Sequence, residues 1–341
     1  MNSLERILAA LQNQPADRPA FLLNASLYGA RLTGASLEDH YNQAAVYAEG
    51  QMAIRETFSP DLLLSPFFIP ALGEAFGSRL GTRPRQAPNV AGFAASTAEE
   101  MLQLPLPDVD GHPRLLYLRE TIRILAKTYA GQVPIFGALV SPADLPPLVI
   151  GLEAWLDALL FRPAVAQALL DRLTPFFVAL GKAMFSDGAT GLALTANLAN
   201  GFIITEAVAD SLLLPNLRTA LAELPGPVVF HHGGCPLVDQ LARFQDLPNV
   251  VAYVIDAHED LGAARRALGP GPVVMGNLDG AGLVHLRPEE VDHLCERAFA
   301  QRGADRQFIL ATSGADIQFD TPPECLAAIT EAVCRTGGVE T

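Results

Sequence analysis

Val250-Val251-Ala252-Tyr253-Val254-Ile255 is apolar for six residues and ends at Asp256. A strand with one wet face would alternate with a period of two, whereas an unbroken run rich in β-branched residues is what a parallel strand covered on both faces requires. Leu261–Leu268 then shows helical spacing and stops at Gly269-Pro270, a helix terminator, before Pro272–Asn277 opens the next apolar run. Strand, helix and strand follow one another here in about as short a stretch as a parallel crossover allows.

The same alternation extends outward from this unit in both directions. The strand candidates are Ala20–Asn24, Asp61–Ser65, Pro134–Leu139, Gly191–Thr195, Pro227–His231, Val250–Asp256, Pro272–Asn277 and Gln307–Thr312. Eight such strands with helical spacers predict an α/β fold, a single (β/α)8 TIM barrel spanning residues 1–341. An open doubly wound sheet is the alternative, but no strand is followed by GxGxxG or GxxxxGK[ST], so nucleotide binding has no support. Asn2 with Glu5 reads as a capping box that opens a helix over 2–14, and Thr321-Pro322-Pro323-Glu324 reads as a capping Thr followed by Pro at the first helical position. The Pro- and Gly-punctuated interval from about 66 to 132 predicts an insertion of helices and loops between the second and third strands.

Composition narrows the function classes. Half of the 341 residues are hydrophobic and 18% are charged, enough apolar surface for a large core. A net charge of -14 argues against a nucleic-acid surface and against a highly anionic ligand unless its pocket is locally basic. Four scattered cysteines with no CxxC pair, and a start at Met1–Glu5 without a basic region and apolar run, predict a reducing cytoplasm. No stretch holds the roughly 18 uninterrupted apolar residues of a membrane span, so no membrane association is expected.

In such a barrel the reacting groups sit at the C-terminal ends of the strands. The densest cluster there is Phe230-His231-His232-Gly233-Gly234-Cys235-Pro236. Imidazole and thiolate are zinc ligands, which makes His231 and Cys235 weak metal candidates. Adjacent residues leave a strand on opposite faces, so both histidines are not expected at one ion. Asp256, Asp279 and Asp316 end later strands and offer acid/base carboxylates, or close turns and cap helices instead. Asn24 and Tyr28 follow the first strand, Ser65 the second and Asn197 the fourth, while Asn277 precedes Asp279. Cys295, Cys325 and Cys334 lie in amphipathic stretches and read as core.

Pro227–Gly234, the Asp256 strand end with Asp260–Gly269, Val274–Asp279, and Ile309–Asp316 running on to Asp320–Glu324 resemble, in order and spacing, the uroporphyrinogen decarboxylase superfamily. That superfamily includes the tetrapyrrole decarboxylase and the cobalamin-linked methyltransferases, and the resemblance implies a (β/α)8 barrel. The decarboxylase branch carries an arginine-rich segment after the first strand and an Asp after the second; here those stretches read Phe21–Gly29 and Leu63–Phe67, with Asn24 and Pro66 in place of the signature residues. The methyltransferase branch binds zinc through His-x-Cys and a later Cys; here His231 is kept, but Gly233 and Ala315 replace the two thiols. The resemblance therefore implies a corrinoid-linked methyltransferase-like enzyme acting on a small substrate, with the corrinoid on a partner protein and zinc not expected. A divergent uroporphyrinogen decarboxylase, and a barrel that binds a corrinoid or tetrapyrrole without turnover, are the alternatives. On this reading His231 polarises or transfers a proton, Asp279 and Asp256 are its carboxylate partners, and Asn24, Tyr28, Ser65, Asn197, Asn277 and Asp316 contact substrate.

Overall fold

The computed structural model describes residues 1–337. Its strands are β1 (Ala20–Leu22), β2 (Leu63–Leu64), β3 (Arg79–Arg83), β4 (Gln86–Gly92), β5 (Ile135–Val140), β6 (Gly191–Thr195), β7 (Val228–His231), β8 (Val250–Val254), β9 (Val273–Asp279) and β10 (Phe308–Ser313). Eight of them form one parallel sheet in the order β1-β10-β9-β8-β7-β6-β5-β2, the (β/α)8 barrel that the apolar runs predict. Every predicted strand is present.

Both faces of these strands are apolar because each faces a core. Leu22, Leu64, Phe136, Val229, Val254 and Met275 point into the lumen. Their alternate neighbours Phe21, Leu63, Ile135, Val228, Tyr253 and Val274 pack outward beneath the helices. The pleat sends odd and even residues to different cores, so a period-two signal is present in space but invisible in hydropathy.

The barrel closes at the N-terminal end of β2 through one buried carboxylate. Asp61 donates its N–H to the Phe21 carbonyl at 2.8 Å. Its side chain accepts from Phe21 N–H at 3.1 Å, Ser3 Oγ at 2.9 Å, Arg18 Nη1 at 2.6 Å and Arg6 Nη1 at 3.2 Å. Asp61 is fully buried. The first helix, Ser3–Leu11, is tied to this joint and does carry the Asn2–Glu5 capping box, but it ends three residues short of Gln14, where Asn13 takes a left-handed φ of 55°.

Two local expectations need correction. The 66–132 insertion contains helices, but also the antiparallel hairpin β3–β4, whose largely exposed, polar strands give no apolar run to detect. Its tip is pinned by Arg85 to Asp320 at 2.9 Å. At the last helix, Pro323–Thr336, the N-cap is Pro322 rather than Thr321. Thr321 is buried, and its carbonyl accepts from Tyr28 Oη at 2.9 Å and Arg31 Nη1 at 2.5 Å. Among the described residues one helix, Pro163–Ser186, is long and apolar enough to cross a membrane by length and composition alone; here it buries Leu169, Leu173, Phe177 and Leu180 in the core.

Candidate active site

His231 is the last residue of β7 and continues the inward-pointing row that includes Val229, which places its ring at the top of the lumen. It lines a cavity of about 30 Å³ together with Asn24, Thr312, Phe67 and apolar lumen residues. The turn after β7 fixes its tautomer. Gly233 N–H donates to His231 Nδ1 at 2.9 Å, so the single ring proton sits on Nε2. Burial, reinforced by the neighbouring His232 and only partly opposed by Asp256, holds its pKa down at about 3. His231 is therefore a neutral imidazole that presents an N–H donor, and it is not a base at neutral pH.

His232 does not point away from its neighbour as strand alternation predicts. The two rings stack with centroids 4.8 Å apart and planes within 16°. The strand ends at His231, so the chain has already begun to turn at His232. Its Nδ1 lies 3.0 Å from Gly234 N and 3.6 Å from Asp256 Oδ2, and its Nε2 lies 3.1 Å from Gly314 N. A neutral imidazole has one bare nitrogen, so only one of the two glycine N–H groups is satisfied at a time. A proton on Nδ1 faces Asp256 and leaves Nε2 to Gly314. Asp256 Oδ1 in turn accepts from His258 N–H at 2.9 Å and lies 2.9 Å from His258 Nδ1. Burial pushes this carboxyl up, but the His258 bonds and His232 outweigh it and hold Asp256 below its usual value.

The other expected residues divide into two groups. Asn24 and His231 meet at the cavity. Asn277 stands behind Asp256, donating Nδ2 to the carbonyls of Asp256 at 3.0 Å and Glu259 at 2.7 Å, and Asn197 donates Nδ2 to the Gly233 carbonyl at 3.1 Å. Both shape the mouth by holding its loops. Tyr28 and Ser65 are fully buried and bonded elsewhere, Tyr28 to Thr321 and Ser65 to Ala138 N–H at 3.3 Å. Asp316 is turned into the protein, where it accepts from Leu27 N–H at 2.7 Å and holds the β1 loop; burial pushes its carboxyl up to about 8 against three backbone N–H donors. Asp279 is exposed at the end of β9, beside the turn at Gly282. His232, one of the two strand-end histidines read from the sequence, belongs to the site, and so do Thr312 and Phe67, which were not singled out. Thr312 Oγ1 accepts from Asn24 N–H at 2.7 Å, and Phe67 packs on His231 at 5.5 Å.

The zinc of the methyltransferase branch does not fit these residues. A Cβ at position 233 would lie 1.7 Å from Asn197 Oδ1, and Gly233 has a φ of +60°, so no cysteine side chain is accommodated there. Among the described residues no three His, Cys, Asp or Glu side chains converge as metal donors. Burial and the nearby Asp144 raise the Cys235 thiol, which opposes the thiolate a metal needs. Gly233→Cys should therefore take up no zinc by elemental analysis. It should also unfold at lower temperature, since left-handed backbone alone costs about 1–2 kcal/mol in a non-glycine residue. Adding Asn197→Ala should restore part of that loss. A stable single variant carrying one zinc would contradict this account.

Similarity to known proteins agrees with this geometry. The family model for uroporphyrinogen decarboxylase (URO-D) matches residues 2–336. A Methylcobamide:CoM methyltransferase MtbA of Methanosarcina acetivorans is 27% identical over 295 residues, covering 84% of this chain and 86% of its own. A uroporphyrinogen decarboxylase of Alkalilimnicola ehrlichii is 24% identical over 355 residues, covering 96% and 93%. The solved structure of a methyltransferase from Methanosarcina mazei superposes with a TM-score of 0.83 at 17% identity, covering 97% of this chain and 98% of that one. With eight parallel strands in the expected order and a family match along nearly its whole length, the chain belongs to the uroporphyrinogen decarboxylase family.

Proposed function

We propose that this chain transfers a methyl group between a small substrate and a corrinoid carried by a separate protein, at the C-terminal mouth of the barrel. The observation that carries the reading is the cavity under the mouth, which His231 and Asn24 line and no Arg or Lys enters. The arginines flanking β1 are committed elsewhere: Arg18 pairs with Asp61 at 2.6 Å, and Arg31 donates to the Phe319 and Thr321 carbonyls. An octacarboxylate would find no bidentate partner there to offset its desolvation. The methylcobamide methyltransferases among its relatives favour the same branch.

The corrinoid supplies the methyl group to be moved. The residues of this chain position and polarise the small substrate. His231 Nε2–H donates to the reacting heteroatom, Asn24 orients it, and the proton that the acceptor's O–H or S–H group loses on methylation would pass to Asp256, which His232 faces at the rim. No step uses a thiolate-zinc centre, since the residues that would hold one are replaced.

The test uses methylcobalamin as methyl donor with small thiols and alcohols as acceptors, followed by the visible spectrum of the corrinoid. The expected result is demethylation that requires both protein and acceptor. Uroporphyrinogen incubated in parallel should not be converted to coproporphyrinogen. Decarboxylation at a rate typical of dedicated decarboxylases would replace this reading with that of a divergent decarboxylase, and binding of the corrinoid without methyl loss would replace it with that of a binding protein.

A further inference from the structure

We propose that a cleft at the N-terminal end of the barrel, opposite the mouth, binds the phosphoryl group of a small phosphate monoester through Arg302 and Arg306. The inference does not depend on the methyl-transfer reading, because the cleft and the mouth lie at opposite ends of the strands.

The cleft has a volume of about 210 Å³ and is lined by four guanidinium groups from three segments. Arg6 comes from the first helix, Arg18 from the approach to β1, and Arg302 and Arg306 from the approach to β10. The chain has a net charge of -14 and only 23 lysines and arginines in 341 residues, so its composition does not favour such a grouping. An anionic ligand of so acidic a chain needs a locally basic pocket, and this is one. Arg6 and Arg18 supply charge more than free donors, since Arg6 pairs with Asp17 at 2.7 Å and Arg18 with Asp61 at 2.6 Å. Asp17 is the one carboxylate among the described residues lining the cleft, and Asp61 is fully buried behind it. Four positive groups thus face two negative ones. Arg306 is exposed and has no ion pair or hydrogen bond among the described residues. Asp17 repels an anion from the Arg6 side, which leaves the Arg302 and Arg306 side for it.

Ligand chemistry follows from this set. A phosphate monoester carries a charge close to -2 at neutral pH and three terminal oxygens, so one guanidinium can grip two of them while a second takes the third. A carboxylate offers two oxygens and a single charge. The cleft has room for on the order of a dozen water-sized groups, more than a lone phosphate fills. Ala10, Pro15 and Phe308 supply apolar wall for the carbon end of the ester.

The experiment is calorimetric titration of the full chain at fixed ionic strength, near pH 7.5, where the monoester is a dianion. Melting temperature is a poor readout here, because phosphate stabilises folded proteins generally by exclusion from their surfaces. The probes are ethyl phosphate, inorganic phosphate and succinate. Ethyl phosphate should bind saturably with a dissociation constant of about 0.1–10 mM, inorganic phosphate no more tightly, and succinate more weakly than either. Arg306→Ala should weaken ethyl phosphate about tenfold or more, and Arg306→Lys should recover part of the loss. Arg287→Ala removes the same charge from an exposed arginine at the far end of the helix Pro288–Arg302, where it pairs with Glu290, and should leave binding unchanged. Absence of saturable heat with ethyl phosphate would overturn the proposal, as would equal weakening in Arg287→Ala, which would reveal general charge attraction. Succinate binding as tightly as ethyl phosphate would overturn the phosphoryl assignment, and binding of inorganic phosphate with exclusion of the ester would overturn the monoester. The probe comparison needs only wild-type protein, so it decides the ligand class whatever the variants do.

Discussion

His231→Ala should lower kcat/KM for methyl transfer by a factor of about 10²–10³, the usual cost of removing one preorganised donor from a water-poor site. The imidazole is held by Gly233 N–H on Nδ1 and by stacking on His232, which fixes it in place for the donor role proposed above. His231→Gln retains an N–H donor of similar reach and should recover part of the activity. The pH profile separates donation from base catalysis. Burial holds the pKa near 3, so the ring is neutral at every pH above that, and no limb of the profile between pH 5 and 8 should belong to it. An acid limb in that range that vanishes in His231→Gln would show instead that His231 titrates during turnover.

Asp61→Ala should be the most destabilising single substitution at the closed seam of the barrel. The carboxylate is fully buried and carries both Arg6 and Arg18, with Phe21 N–H and Ser3 Oγ as further donors. Removing one partner of a buried pair typically costs about 3–5 kcal/mol; here Arg18 is left largely buried without a carboxylate, while Arg6 keeps its pair with Asp17 at 2.7 Å. In a chain of this size that corresponds to roughly 5–10 °C in melting temperature. Asp61→Asn keeps an acceptor for Phe21 and Ser3 and should fall between. The joint lies at the N-terminal face, which in these barrels serves stability. Thermal and denaturant unfolding of the three proteins provides the check, and a loss below about 1 kcal/mol in Asp61→Ala would show that the arginines find other partners.

The sequence by itself determined the barrel and the level at which the site lies. Unbroken apolar runs such as Val250–Ile255 report burial on both faces, and that condition is local, since every inward and outward neighbour of the strand is apolar whatever its identity. The Gly269-Pro270 stop and the Asn2–Glu5 capping box were legible for the same reason, each depending on residues within one turn. The hairpin β3–β4 was not, because its exposed strands bury too little apolar surface to leave a pattern.

Only the tertiary structure decided which strand-end residues meet. Asn24 joins His231 because β1 and β7 share a lumen, although some two hundred positions separate them in the chain. Tyr28, Ser65 and Asp316 carry equally suitable chemistry at equally suitable positions, yet their side chains turn to Thr321, Ala138 and Leu27. The stacking of His231 on His232 depends on where β7 stops, and the exclusion of a thiol at position 233 depends on Asn197 reaching across from the loop after β6. Side-chain direction beyond a strand end is set by the loop that follows and by what packs against it from distant segments, so spacing alone does not encode it.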